Sequence, residues 1–172
     1  LIWVQSYSLV DLGFSYYQVI GCTNGDLLIL GANRMDSSLN NLTRIDSEGA
    51  VVWQKIIDGE SSFIEDTNSI NIASIVNERY VIALEDCTND FRTVVIFVID
   101  YYGTILHKRN ISVPYFSLIL NGLAVNSQKI ALYGFMESPD FNAGFILEID
   151  FNLTQIYSKI INNYSTVSSV VY

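Results

Sequence analysis

The sequence predicts an all-β fold: a β-propeller-like set of about three four-stranded antiparallel blades, with a stray strand at each end. Three observations predict it. An Ile-Asp pair recurs with its Asp at positions 46, 100 and 150, a spacing of 54 and then 50 residues. The apolar residues around each pair alternate with a period near two, which is the repeat of a strand and not of a helix. A short polar turn follows each Asp, so each copy reads as a hairpin.

The three hairpins occupy residues 42–55, 96–109 and 146–159. In each, a run rich in β-branched and aromatic residues reaches Asp, turns, and returns to end on a large ring and a base. Asp opens such turns because its carboxylate accepts backbone N–H groups two residues on. Gly49 and Gly103 supply the positive φ that these turns need. In the third copy Leu153 takes that place, and the neighbouring Asn152 is the residue expected to adopt the left-handed conformation.

A second element precedes each hairpin by about twenty residues: 25–31, 79–84 and 128–134. These near-continuous apolar runs suit strands buried on both faces. Ahead of each lies a further short run, at 17–21, 69–73 and 118–124. Four strands per unit, repeated every ~40–50 residues, is the propeller pattern. The units are expected at 17–66, 67–115 and 116–162. Residues 1–16 read as the last strand of a preceding blade, because Ile2-Trp3-Val4-Gln5 matches Val52-Trp53-Gln54-Lys55 at an offset of 50. Residues 163–172 read as the first strand of a following one. With Leu1 in place of an initiator Met, the sequence reads as a processed product or a piece of a longer chain.

On the residues Gly25-Asp26-Leu27-Leu28-Ile29-Leu30-Gly31 and Ile45-Asp46-Ser47-Glu48-Gly49-Ala50-Val51-Val52-Trp53-Gln54-Lys55, the chain resembles a propeller repeat of secreted and surface proteins. That family's pattern is a Gly-rich start to the strand, a Leu/Ile-Asp-x-x-Gly hairpin and a Trp-x-Lys strand end. The match is close over 19–57 and degenerate afterward, where His107 and Tyr157 replace the Trp. The resemblance implies an extracellular or cell-surface binding platform, and no catalytic residues.

Composition narrows the partners. Half of the 172 residues are hydrophobic, 16% are charged, and Tyr and Phe number eleven and nine. Disordered chains have the opposite balance. No run approaches the ~20 apolar residues that span a bilayer. The net charge is −9, and His107-Lys108-Arg109 is the only basic run. Nucleic acid is therefore not an expected partner, since phosphate recognition needs clustered bases. Membrane insertion is not expected either, and an acidic surface disfavours anionic lipid.

No catalytic residue, cofactor site or metal site emerges. His107 is the single histidine and sits where Trp53 and Tyr157 sit in the other copies, so packing accounts for it. Cys22 and Cys87 form no CxxC; they read as two buried thiols or as one disulfide. The carboxylate-rich segments 46–49 and 85–90 lack EF-hand spacing. Asp46 reads as a turn former, as does its counterpart Asp150, and 85–90 as a solvated loop.

Four Asn-x-Ser/Thr sequons occur, at Asn41, Asn110, Asn152 and Asn163. Each is a glycosylation candidate if the chain passes through a eukaryotic secretory route. Asn152 falls in a hairpin turn and Asn163 in a connection between units, with Asn110 just after an outer strand and Asn41 leading into a hairpin. The expected function is a non-catalytic structural or protein-interaction platform, part of a larger protein or assembly. Three blades fall short of the ~4–8 that close a ring, so open sheet edges invite self-association or a neighbouring subunit. The alternative is a carbohydrate binder using tyrosine faces, with Tyr101 and Tyr102 as the candidates and glycans as the partner. A hydrolase built on paired carboxylates is the remaining option, though no pair stands out.

Overall fold

The computed structural model describes residues 14–33, 39–58, 71–86 and 91–161, and every regular element among them is a β-strand. The strands form three four-stranded antiparallel sheets, each a meander in chain order. The first sheet contains β1 (Phe14–Gly21), β2 (Leu27–Asn33), β3 (Leu39–Ile45) and β4 (Val51–Asp58). The second contains β5 (Asn71–Ile75), β6 (Arg79–Asp86), β7 (Thr93–Ile99) and β8 (Ile105–Ile111). The third contains β9 (Ser117–Val125), β10 (Lys129–Ser138), β11 (Phe141–Asp150) and β12 (Gln155–Ile161). The first strand starts at Phe14, three residues before the expected boundary at 17. The stray end strands expected over 1–16 and 163–172 otherwise lie outside the described residues.

The sheets stack face to face in the order of the chain, and strand parity shows how. In β6 and β7 the side chains of Val81, Ala83, Val94, Ile96 and Val98 enter a core shared with the third sheet. Their alternates Tyr80, Ile82, Leu84, Val95, Phe97 and Ile99 enter a core shared with the first. Because successive side chains of a strand point to opposite faces, an unbroken apolar run fills two cores at once. The second sheet is therefore covered on both sides. Expected double burial of the run at 27–30 is not seen: Leu28 and Leu30 are buried, while Leu27 and Ile29 are only half-buried. Among the described residues the first sheet shares a core with one neighbour, the second sheet. Among the described residues the first and third sheets share no core, and the stack is open.

A bulge keeps β9 in its core. Leu118 and Leu120 face inward before it, and Leu123 and Val125 after it. The pairing with β10 slips by one residue at Asn121, between Leu120 and Gly122. Without that extra residue the second half of the strand would present the wrong face. Gly134 makes the bulge possible, because a Cβ there would stand 2.0 Å from the carbonyl oxygen of Ile119.

Candidate interface between repeat units

The hairpin turns have one geometry in three copies. The Asp46 carboxylate accepts the N–H groups of Glu48 (3.0 Å) and Ala50 (2.8 Å). That of Asp100 accepts Tyr102 (2.9 Å) and Thr104 (2.7 Å), and that of Asp150 accepts Asn152 (2.9 Å) and Thr154 (2.7 Å). Two backbone bonds close each turn: in the first, the Asp46 N–H donates to the Ala50 carbonyl and the Gly49 N–H to the Asp46 carbonyl. The fourth residue takes positive φ: 93° at Gly49, 72° at Gly103 and 63° at Leu153. The left-handed residue of the third turn is thus Leu153, not Asn152 as expected. Leu153 is only 3% exposed and packs into the core between the second and third sheets. That burial offsets a conformation that costs an L-residue roughly 1–2 kcal/mol.

Each turn after the first is gripped by the sheet before it. Gly103 lies under the Trp53 ring, where a Cβ would meet the ring at 2.8 Å and the Lys55 side chain at 3.1 Å. The Arg44 guanidinium donates to the Tyr101 carbonyl at 2.8 Å and lies 3.1 Å from the centre of the Tyr101 ring. One interface later, Arg109 donates to the Leu153 carbonyl. Trp53 and His107 stand seven residues after their Asp, and Lys55 and Arg109 nine after. The repeat therefore places a ring and a cation at matching positions of β4 and β8, with Trp53, Lys55 and Arg109 against the turn of the next sheet.

Arg44 is 1% exposed and would be untenable alone, since burying an unpaired charge costs several kcal/mol. Asp26 neutralises it, with its Oδ2 2.7 Å from Nε and 2.6 Å from the second guanidinium nitrogen. Burial by itself would raise the Asp26 carboxyl. Hydrogen bonds from Asn24 and Arg44, with the Arg44 charge, outweigh it and hold the group below its ordinary value. Asn24 also donates to the Tyr101 hydroxyl at 3.3 Å. Beside this node the Tyr80 hydroxyl is pushed up, first by burial and then by its contact with Cys22. Neighbouring sheets are also joined at the first strand of the later one, by acceptors on β1 and β6. The Ile72 N–H donates to Gln18 Oε1, and the Leu120 N–H to Glu85 Oε1, both at 2.6 Å. Side-chain acceptors so occupy N–H groups on the free edges of β5 and β9, which would otherwise invite pairing.

The residues singled out from sequence fall into distinct settings. Asn41 lies within β3 and is 5% exposed, and its side-chain oxygen accepts the hydroxyl of its own sequon's Thr43 at 3.3 Å. Asn110 is exposed inside β8 and not beyond it, and Asn152 is exposed in the turn as expected. Asn163 lies outside the described residues. Cys22 is a half-buried free thiol packed against the first core, and Cys87 lies outside the described residues. Glu85 and Asp86, expected in a solvated loop, are buried at the end of β6. Of that segment, 87–90 lie outside the described residues. His107 is half-buried on β8, opposite Val98. Tyr101 is occupied by Arg44 and Asn24, whereas Tyr102 is 68% exposed and touches Tyr101 edge-on.

None of the residues that hold the interfaces, Asp26, Arg44, Gln18, Glu85 and Arg109, is assigned that role from sequence: Glu85 reads as part of a solvated loop and Arg109 as part of a basic run. One signal existed for Arg44. It follows Leu42 by two in a strand, so it occupies a core-facing position with a charge.

No family model matches the chain, and no curated protein sequence does. Among solved structures, the C-terminal domain of Bacillus megaterium YpeB overlaps 86% of this chain and 90% of its own length, at 9% identity and a TM-score of 0.22. A structure described as the eukaryotic initiation factor overlaps 87% of this chain and 56% of its own, at 10% identity and a TM-score of 0.28. Overlaps this weak carry no argument about fold or function.

Proposed function

We propose that the chain is a non-catalytic structural and protein-interaction platform, one arc of a β-propeller acting outside the cell or at its surface. The observation that supports it most is the repeated grip of a sheet on the next hairpin turn. Among the described residues the buried Arg44–Asp26 pair, the Gln18 and Glu85 acceptors and the Trp53 ring all bear on sheet boundaries. Such a device extends naturally to a further sheet, from the same protein or from a neighbouring subunit. The exposed sequons at Asn110 and Asn152 suit an extracellular setting, as positions where a glycan would not disturb a core.

The test is cross-linking on intact producing cells with a membrane-impermeant, amine-reactive reagent. Lys55, Lys108 and Lys159 are exposed and would react. Intermolecular products through these lysines are expected. Absence of labelling would sink the surface location, and products confined to one chain would sink the platform.

A second reading, carbohydrate binding, is favoured by the exposed faces of Tyr102 and of Tyr115, which is 77% exposed. Glycan-array binding that disappears in Tyr102→Ala would establish it, and binding unchanged in that variant would remove it.

A further inference from the structure

We propose that the end of the third sheet carrying Tyr115 and Phe141 docks a basic, arginine-bearing segment of a protein partner. The inference rests on the platform reading and names the chemistry of a partner. The chain has two prolines, Pro114 and Pro139, and both stand here. Val113-Pro114-Tyr115-Phe116 leads into β9, and Ser138-Pro139-Asp140-Phe141 joins β10 to β11. Each is a two-residue turn of the same plan, closed between Val113 and Phe116 in one and between Ser138 and Phe141 in the other. Pairing of Ser117 with Glu137 sets the turns side by side, and the Phe116 and Phe141 rings meet edge-on at 5.7 Å. Proline restricts the backbone of both turns, so the tip is ordered before any partner arrives.

Tyr115 is the residue this tip presents. It is 77% exposed at a φ of 65°, in a turn closed by the Phe116 N–H on the Val113 carbonyl at 3.1 Å. A turn with proline second and a positive φ third ordinarily takes Gly or Asn at that third place. The other non-glycine residues with positive φ among the described ones have local reasons for it. Leu153 is buried, Asn77 is of a type that tolerates the conformation, and Glu78 accepts the Thr23 hydroxyl at 2.9 Å. Tyr115 has neither burial nor a hydrogen bond among the described residues, so nothing within the tip offsets the strain of its backbone. Strain of this kind gathers where proteins make contacts.

The surroundings select the partner. Residues 112–117 and 137–142 contain two carboxylates, Glu137 and Asp140, both exposed, and no base. Phe141, 39% exposed, follows Asp140 directly. An aromatic face beside carboxylates favours a cation, and a guanidinium above an ammonium, because the planar group stacks on a ring while donating from its edge. The first interface contains this combination: the Arg44 guanidinium lies on the Tyr101 ring and donates to the Asp26 carboxylate. The net charge of −9 also draws a basic segment toward the chain.

Fluorescence anisotropy of a labelled peptide of alternating Gly and Arg, titrated with the full chain in about 150 mM salt, tests the contact. Wild type is expected to bind it, and to bind the Gly-Lys counterpart more weakly. Tyr115→Gly should weaken binding about fivefold or more, while easing the backbone and leaving thermal stability no lower. Tyr115→Phe should keep the affinity within about twofold, and Asp140→Asn should lower it about twofold to threefold. Tyr102→Ala, at the other end of β8, should leave it unchanged. A peptide that does not bind overturns the inference, as does binding that Tyr115→Gly leaves intact. Glycan-array binding that Tyr115→Gly abolishes, with no binding of the peptide, overturns it in favour of carbohydrate. None of these results touches the platform reading, because cross-linking on cells detects partners of any chemistry.

Discussion

The two interfaces of the stack share a backbone plan and differ in chemistry. Two residues before each Asp, the strand position facing the next sheet holds Arg44 in the first sheet and Val98 in the second. At the first interface a buried guanidinium joins Asp26, the Tyr101 carbonyl and the Tyr101 ring. At the second, Val98 lies in an apolar core with Met136, Phe145, Leu147 and Leu153, and the cation has moved to Arg109 on the outer strand. The third sheet has Glu148 at this position, on the side away from both cores, paired with Lys129 at 2.6 Å. One register position thus accepts a cation, a methyl pair or an anion. What decides is whether the neighbouring strand and turn supply a counter-charge and a carbonyl. A buried ion pair is also exacting in geometry, so the polar interface should favour one alignment of sheets more strongly than the greasy one.

The largest expected effect comes from breaking the polar node on one side only. Asp26→Ala leaves Arg44 buried and uncompensated, and should cost about 3–5 kcal/mol in chemical denaturation. Replacing both residues with Leu should recover most of that loss, since apolar pairs often match buried ion pairs in stability. A single variant that loses under ~1 kcal/mol would show that the node is not sealed from water.

A smaller effect is expected at the second interface. Leu153→Gly relieves the left-handed strain, worth roughly 1–2 kcal/mol, but empties a buried site whose truncation costs about 2–5. The net result should be a loss of about 1–3 kcal/mol in urea unfolding. A more stable variant would show that packing does not hold this residue in place.

The smallest effect is a pH dependence confined to the first interface. The folded state holds the Asp26 carboxyl below its ordinary value. Its contribution is therefore complete above the unfolded pKa of about 4 and fades as pH falls through the lower folded value. Acid titration of stability should fall more steeply for wild type than for the Asp26→Leu, Arg44→Leu double variant. Identical curves would locate the acid sensitivity elsewhere.

Much of the fold was legible because two signals agreed. The Asp spacing located the hairpins, and apolar parity located the strands. Parity also contains the double burial of β6, but an apolar run such as 27–30 reads the same whether one face or both are fully packed. The third turn was assigned to Asn152 on local preference. Burial of Leu153 in a core built from residues some fifty positions away decided it instead. Glu85 and Asp86 were read as solvated because they are charged and near a turn, while their role depends on a neighbouring sheet's N–H groups. Asn41 does lead into a hairpin, as part of β3, and its burial there comes from packing that a sequon does not reveal. Arg44 and Asp26 are eighteen residues apart and joined only by the β2–β3 pairing, so composition could not link them.

The double-sided burial of the second sheet has a consequence for biosynthesis. β7 reads Thr-Val-Val-Ile-Phe-Val-Ile, seven residues without a charge, a proline or a glycine. Such segments pair readily with copies of themselves when exposed. Its second face is covered only when the third sheet has been made, about fifty residues later in the chain. During synthesis this strand is therefore a transient hazard, and a protease cut that strips off either flanking sheet would recreate that hazard in the finished protein.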